Sequence, residues 1–408
     1  MSLSRRRFLQ GTGAGVAGTA LAGGLIAAGA RADTANSAAG DSGTAVSIPF
    51  HGEHQAGVLT APQRAATFAA FDLTVTDRSG LVSLLMDLTA RSRFLTGGGA
   101  PPDLGVGSPP SDSAILGATV PADGLTVTVS VGESLFDHRF GLADRKPARL
   151  TTMPPFPNDA LDPAWCHGDL MLQICANNAD TVHHALRDIA KRTRYGMQPR
   201  YRMDGFVSPP RPSGTPRNLL GFKDGIANPT ASEADTLVWV QPGAPEPAWT
   251  AGGSYQVVRV IRMLVEFWDR ISITEQERIF GRRRDSGAPL SGSAEFDVPE
   301  YHNDPHGKAV PLDSHIRLAN PRTPETDKSR ILRRAYNYDQ GFRSNGELDA
   351  GLVFCCYQQD LARQFEATQT RLVNEPLADY VQPFGGGYFF TLPGVKDNTD
   401  HFGSALLG

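Results

Sequence analysis

A strand that runs straight into an amphipathic helix occurs twice in this chain of 408 residues, and the repeat limits the fold more than any other feature. Residues 168–176 read as a nearly continuous apolar strand, and residues 181–193 follow with Val182, Leu186, Ile189 and Ala190 on one helical face. Asp180 is the expected N-cap of that helix. Residues 351–357 form a second apolar strand, followed by a helix over 360–373. The pattern predicts an α+β protein of two related halves, each an antiparallel sheet covered by helices on one face.

Other segments fit the same plan. Phe71, Leu73 and Val75 alternate as in a half-buried strand, as do Leu125, Val127, Val129 and Val131. Leu81, Leu84, Leu85 and Leu88 mark a helix over 79–93, and residues 255–266 read as a further strand. Thr274-Glu275-Gln276-Glu277 has the form of a capping box. Gly385-Gly386-Gly387 predicts a turn into a last strand. The Pro/Gly-rich stretch 208–220 is the expected junction, giving an N-terminal half over 48–215 and a C-terminal half over 216–408.

The first residues read as an address. Ser4-Arg5-Arg6-Arg7-Phe8-Leu9-Gln10 has the form of a twin-arginine export signal, followed by a weakly apolar stretch and small-residue cleavage sites near Ala30 and Ala32. Residues 1–32 are therefore expected to be a signal peptide and 33–47 a flexible leader. The partner this implies is the twin-arginine export machinery, and the destination is a periplasm or the exterior. The glycine content of the stretch argues against a stable membrane anchor. The formal net charge is −4, and losing a leader that carries Arg5, Arg6, Arg7 and Arg31 makes it more negative. With the chain acidic overall, nucleic acid is not an expected partner.

Four cysteines without a CxxC spacing argue against a zinc or thioredoxin-like site. Cys355 and Cys356 should point to opposite faces of a strand. Cys166 and Cys175 are either a disulfide of an exported protein or buried free thiols. His183 and His184 are neighbours on a helix, point apart, and read as a solvated face rather than a metal site.

Three segments carry candidate chemistry. Gly221-Phe222-Lys223-Asp224-Gly225 presents an aspartate on a turn whose glycines permit close approach. His315 lies in Leu312-Asp313-Ser314-His315-Ile316-Arg317 and has the side chain that haem iron commonly takes, with Glu375 as a candidate carboxylate partner. Arg330, Arg333 and Arg334 supply permanent cations able to stabilise charge as an O–O bond breaks.

Taken together, these motifs resemble the dye-decolorizing peroxidase family, in its exported deferrochelatase/peroxidase branch. The resemblance rests on Gly221–Gly225 with Asn228-Pro229, His315-Ile316-Arg317 with Asn320-Pro321-Arg322, Leu332-Arg333-Arg334, Gly351–Phe354 and Gly385–Phe390. In the first half it rests on His54-Gln55-Ala56-Gly57, Cys166-His167-Gly168-Asp169 and Gln173–Ala176. It implies tandem ferredoxin-like halves of the dimeric α+β barrel type, with one haem b per chain held mainly by the second half. It further implies His315 as axial iron ligand, Asp224 as acid/base and Arg333 as its partner at the haem. Gly225, Leu352 and Phe354 would line the cofactor. The implied activity is oxidation of organic donors, bulky dyes included, by hydrogen peroxide. The alternative is a haem-handling protein of iron acquisition, a deferrochelatase that takes haem itself as substrate. The chain departs from the family at Ala335, where Gly is frequent. His167 reads as structural. Trp239, Trp249, Trp268, Tyr336, Tyr338 and Tyr388 are candidates for relaying electrons, with core packing as the ordinary explanation.

Overall fold

A computed structural model describes residues 46–408, so the export signal and most of the leader lie outside the described residues. In the first half, β1 (Ala65–Leu73), α1 (Arg78–Gly97), β2 (Thr126–Gly132), β3 (Leu170–Ala176), α2 (Ala179–Thr193) and β4 (Met197–Phe206) follow one another. Their strands pair in the order β4-β1-β3-β2. In the second half, β5 (Ser254–Met263), β6 (Leu332–Arg333), β7 (Tyr336–Phe342), β8 (Leu348–Gln358) and β9 (Val381–Thr391) contain the same arrangement, β9-β5-β8-β7. β6 continues the line of β7 along β8, with Arg333 opposite Cys356 and Tyr336 opposite Val353. Each half is thus a ferredoxin-like α+β unit.

The halves are stitched edge to edge. β2 pairs with β9, and β4 meets β7 at Phe206 and Asn337. Eight strands thereby close into an antiparallel barrel, which leaves few free edges. Side-chain alternation then assigns two environments. Met171, Cys175, Val258, Val260, Val353, Cys355 and Tyr357 share the buried cluster inside the barrel. Within it, Tyr357 donates to Gln173 at 2.8 Å, and Gln256 donates to Tyr357 at 3.0 Å. The intervening residues of β5 and β8 face outward, among them Arg259, Ile261, Leu352 and Phe354. Cys355 and Cys356 accordingly fall in different core clusters.

Helices α1 and α2 cover the first half. Asp77 caps α1 through Gly80 N at 2.8 Å, and Arg91 of α1 reaches Asp188 of α2 at 2.6 Å. Several sequence expectations need correction. The N-cap of α2 is Asn178, so Asp180 sits inside the first turn. His184 is not solvated: it is buried, with Nε2 2.6 Å from Asp112 under the 99–120 loop. The capping interaction near 274 starts earlier, with Ser272 accepting from Glu275 N at 3.2 Å. Gly385–Gly387 lie within β9 rather than in a turn; side chains there would meet Trp165 at Gly385, the Val258 and Arg259 backbone at Gly386 and His167 at Gly387. No Cys166–Cys175 disulfide forms; all four cysteines are free and buried, and Cys175 faces the barrel interior. Strands β4 and β7 have no counterpart in the periodicity, since exposed polar residues interrupt both. Among the described residues, no helix is long and apolar enough to cross a membrane.

Asp169, of the Cys166–Asp169 motif, ties the layers together. Its carboxylate accepts from Leu73 N at 2.8 Å, Ser134 at 2.6 Å and Arg139 at 2.9 and 3.0 Å. Burial alone would raise its pKa, but the Arg139, Ser134 and Leu73 hydrogen bonds outweigh it and hold the group below the ordinary carboxylate value. A depressed pKa means that the stabilisation is complete above the unfolded-state value and is lost as pH falls through the folded one. Asp169→Asn should therefore cost about 3 kcal/mol in urea unfolding at pH 7, with the deficit relative to wild type shrinking as pH is taken below about 4.

Candidate active site

The outward face of β5 and β8 is covered by loops and short helices, and a cavity of about 250 Å3 remains between them. Its apolar wall includes Ile261, Met263, Phe280, Leu352, Phe354 and Leu377. His315 approaches from one side. It opens the helix His315–Ala319 behind the N-cap Ser314, whose hydroxyl is tied to Pro311 O at 2.7 Å. Arg371 holds the other end of this helix through Leu318 O at 2.8 Å and Ala319 O at 3.1 Å. His315 Nδ1 lies 2.7 Å from Glu375 Oε2. A carboxylate there accepts a hydrogen bond from Nδ1–H, which fixes the tautomer and leaves the Nε2 lone pair free for a metal.

Asp224 stands on another wall. Gly221 and Gly225 flank it at φ +87° and +83°, dihedrals that favour glycine. Phe222 anchors the turn by stacking on Phe280 with ring centroids 4.0 Å apart. Arg333 Nη2 reaches both Asp224 oxygens, at 2.8 and 3.0 Å, and its guanidinium lies 5.4 Å from the Phe354 ring centre. Asn228 joins the two residues a second time. Its side chain donates to Arg333 O at 2.8 Å and accepts from Arg333 N at 3.0 Å. The three arginines of the run separate. Arg333 and Arg330 both line the cavity, Arg333 paired with Asp224 and Arg330 with Glu233 at 2.5 Å. Arg334 is buried toward the first half, donating to Thr60 O and Gln63.

The cavity wall has cations and donors to spare. Arg282 and Arg322 both line it, and among the described residues neither has a carboxylate partner. Burial, and then the charge of Arg322, lower the pKa of Arg282. Buried polar atoms on this wall stay unpaired at Arg259 Nε and Nη1, Arg322 Nε, Arg333 Nε, Tyr301 OH and Asn158 Oδ1. Groups of this kind call for a partner. A planar apolar macrocycle with carboxylates at its rim and a metal at its centre matches the apolar wall, the unpaired cations and the imidazole, so the residues present fit haem.

Profiles of known families agree with this reading. The Dyp-type peroxidase N-terminal domain matches residues 55–207, and the Dyp-type peroxidase C-terminal domain matches 215–396. The chain belongs to the Dyp-type peroxidase family. It is 55% identical to a deferrochelatase of Escherichia coli K12 over 368 residues, covering 88% of this chain and 87% of that one. A Yersinia pestis deferrochelatase is 52% identical over 415 residues, spanning 100% of this chain and 95% of the relative. Among solved structures, a DyP-type peroxidase from Cellulomonas bogoriensis superposes with a TM-score of 0.79 at 38% identity, covering 89% of this chain and 98% of that one. DtpA from Streptomyces lividans, as an oxyferrous/water mixed complex, gives 0.81 at 34% identity over 89% and 98%. The protein is a haem peroxidase.

His315, Asp224, Gly225, Arg333, Leu352 and Phe354, all singled out from sequence, line one cavity. The aromatic relay candidates do not: Trp239, Trp249, Trp268, Tyr336, Tyr338 and Tyr388 are buried in the core clusters. Trp239 stacks on His54 with centroids 3.9 Å apart. His167 contributes its backbone, donating from N to Gly386 O at 2.8 Å. Arg259, Arg282, Tyr301 and Asn158 carried no signal in sequence, since each comes from a segment without a motif. Asn228→Ala removes both side-chain bonds to the Arg333 backbone and should destabilise the fold by about 1–3 kcal/mol, measured by urea unfolding.

Proposed function

We propose that this chain is an exported haem peroxidase that holds one haem b through His315 and handles hydrogen peroxide with Asp224 and Arg333. One observation carries the reading: an imidazole anchored to Glu375 and the Asp224–Arg333 ion pair line the same cavity. His315 is the single histidine among the lining residues, which supports one haem per chain. That wall has no cysteine, which favours a haem held without covalent attachment. The twin-arginine pattern at Ser4–Gln10 supports export to a periplasm or the exterior by the corresponding machinery.

Haem held by His315 would supply the redox chemistry, with hydrogen peroxide as the two-electron oxidant and organic donors, dyes among them, as one-electron reductants. The protein's own groups do the proton work. Asp224 would take a proton from one peroxide oxygen and return it to the other. Arg333 stabilises the charge that builds on the departing oxygen. Glu375 keeps the proton on His315 Nδ1 and strengthens Nε2 as a donor. Leu352 and Phe354 narrow the space above the reacting oxygen and keep bulky donors out.

The deferrochelatase relatives favour a second reading, in which haem is itself the substrate and its iron is released. The two readings part at Asp224 and Arg333, which haem carriage alone does not require. Asp224→Asn and Arg333→Leu should each keep a Soret band after haem reconstitution. Each should lower the second-order rate with hydrogen peroxide by about 10^2-fold or more, followed by stopped-flow absorption. Retained peroxide reactivity in both variants would transfer the assignment to haem handling. His315→Ala should fail to give the wild-type ferric spectrum.

A further inference from the structure

Lys223 and Glu295 form an ion pair beneath the Asp224 turn that the peroxide chemistry above does not use. Lys223 Nζ lies 2.5 Å from Glu295 Oε2, and the lysine side chain is 2% exposed. The ammonium also donates to Ser213 O. The other Glu295 oxygen accepts from Thr215 N at 2.8 Å and from Thr215 Oγ1 at 2.7 Å. Burial works against an ionised Glu295, but Lys223 and Thr215 together hold its pKa below the ordinary value.

The backbone makes room for this pair. Gly214 and Gly287 adopt φ +79° and +78°, where other residues are strained. A Cβ at Gly214 would run into the Glu295 carboxylate, and one at Gly287 into the Lys223 chain. The pair thus joins three segments, 213–215, 223 and 295; Lys223 adjoins Asp224 in the chain, and Thr215 adjoins its backbone partner Pro216. Asp224 N donates to Pro216 O at 2.9 Å, next to the Thr215 that Glu295 binds. Arg217 and Lys223 form a short antiparallel bridge that closes the loop. The 295 segment continues to Pro299 and Tyr301, which line the same cavity.

A buried ammonium without its carboxylate must draw water or move. Moving Lys223 moves the residue bonded to it, which is Asp224. We propose that Glu295 is a positioning residue of the peroxide site: it neutralises Lys223, binds Thr215 and so fixes the turn that presents Asp224 to Arg333. The inference rests on the reading of Asp224 as the proton-transferring carboxylate.

The test compares Asp224→Asn, Glu295→Gln and the double variant Lys223→Met/Glu295→Leu as haem-loaded proteins. The double variant removes both buried charges, so the fold survives even where a single charge left alone would unfold it. Melting temperature and Soret intensity report fold and haem loading. The second-order rate constant for hydrogen peroxide reports the position of Asp224, and the rate at saturating peroxide under limiting donor reports the steps that do not use it. The expected result for the double variant is wild-type haem loading, an unchanged donor-limited rate and a peroxide constant lowered about tenfold or more, as a displaced catalytic group produces. A peroxide constant within twofold of wild type in the folded double variant, with Asp224→Asn inactive, would overturn the positioning role. Full peroxide reactivity in Asp224→Asn would instead overturn the reading of the site, and the inference with it.

Discussion

Closing two four-stranded sheets into one barrel is the constraint on which the rest depends. Once β2 meets β9 and β4 meets β7, every strand of the second half has an inner face that must fill the barrel. The residues between must then be buried by something else. In the first half α1 and α2 do this with apolar faces. In the second half the covering segments are short helices and loops over 215–235 and 265–330, and they leave a space that their own side chains do not fill. The site is therefore a property of how the sheet is covered.

The electrostatics of that space follow from its construction. Loops bring arginines to the wall because the loops themselves are polar. Arg282 and Arg322 arrive without carboxylates, while Arg333 arrives with Asp224. The unpaired cations suit the acidic rim of a cofactor, and the paired one suits proton transfer at its centre. Buried ion pairs away from the centre, such as Lys223 with Glu295, hold the loops in register where no strand pairing is available to do so. The arrangement adds ion pairs to the apolar cluster of Leu220, Phe222, Trp268, Ile279 and Phe280 that the covering segments build for themselves.

Much of the fold was legible because apolar periodicity records burial. Strands β2, β3, β5 and β8 and both covering helices could be read from spacing alone, whereas the alternation of Phe71, Leu73 and Val75 found only the end of β1, which begins at Ala65 and stops at Leu73. Strands β4 and β7 could not, because they join the halves along edges where exposed polar residues such as Gln198, Arg200, Asp339 and Gln340 break the alternation. The glycines of β9 read as a turn because their requirement comes from Trp165, His167 and the β5 backbone at Val258, all distant in the chain. His184 read as solvated because its cover is a loop some 70 residues upstream.

The sequence by itself determined the two-fold α+β plan and put forward His315, Asp224 and the arginines over 330–334 as candidates, because these follow from local periodicity and from motifs contained in short runs. Only the tertiary structure decided how three neighbouring arginines divide: Arg330 and Arg333 line the cavity and Arg334 is buried away from it. Strand pairing of Arg333 with Cys356 sends consecutive side chains to opposite sides, and the pairing partner lies on β8. It also decided that Glu375 meets His315, that Asn228 grips the Arg333 backbone and that Arg282 and Arg322 share a wall. Each of those contacts joins residues tens to more than a hundred positions apart, and no local pattern encodes a distance that only barrel closure and its covering loops create.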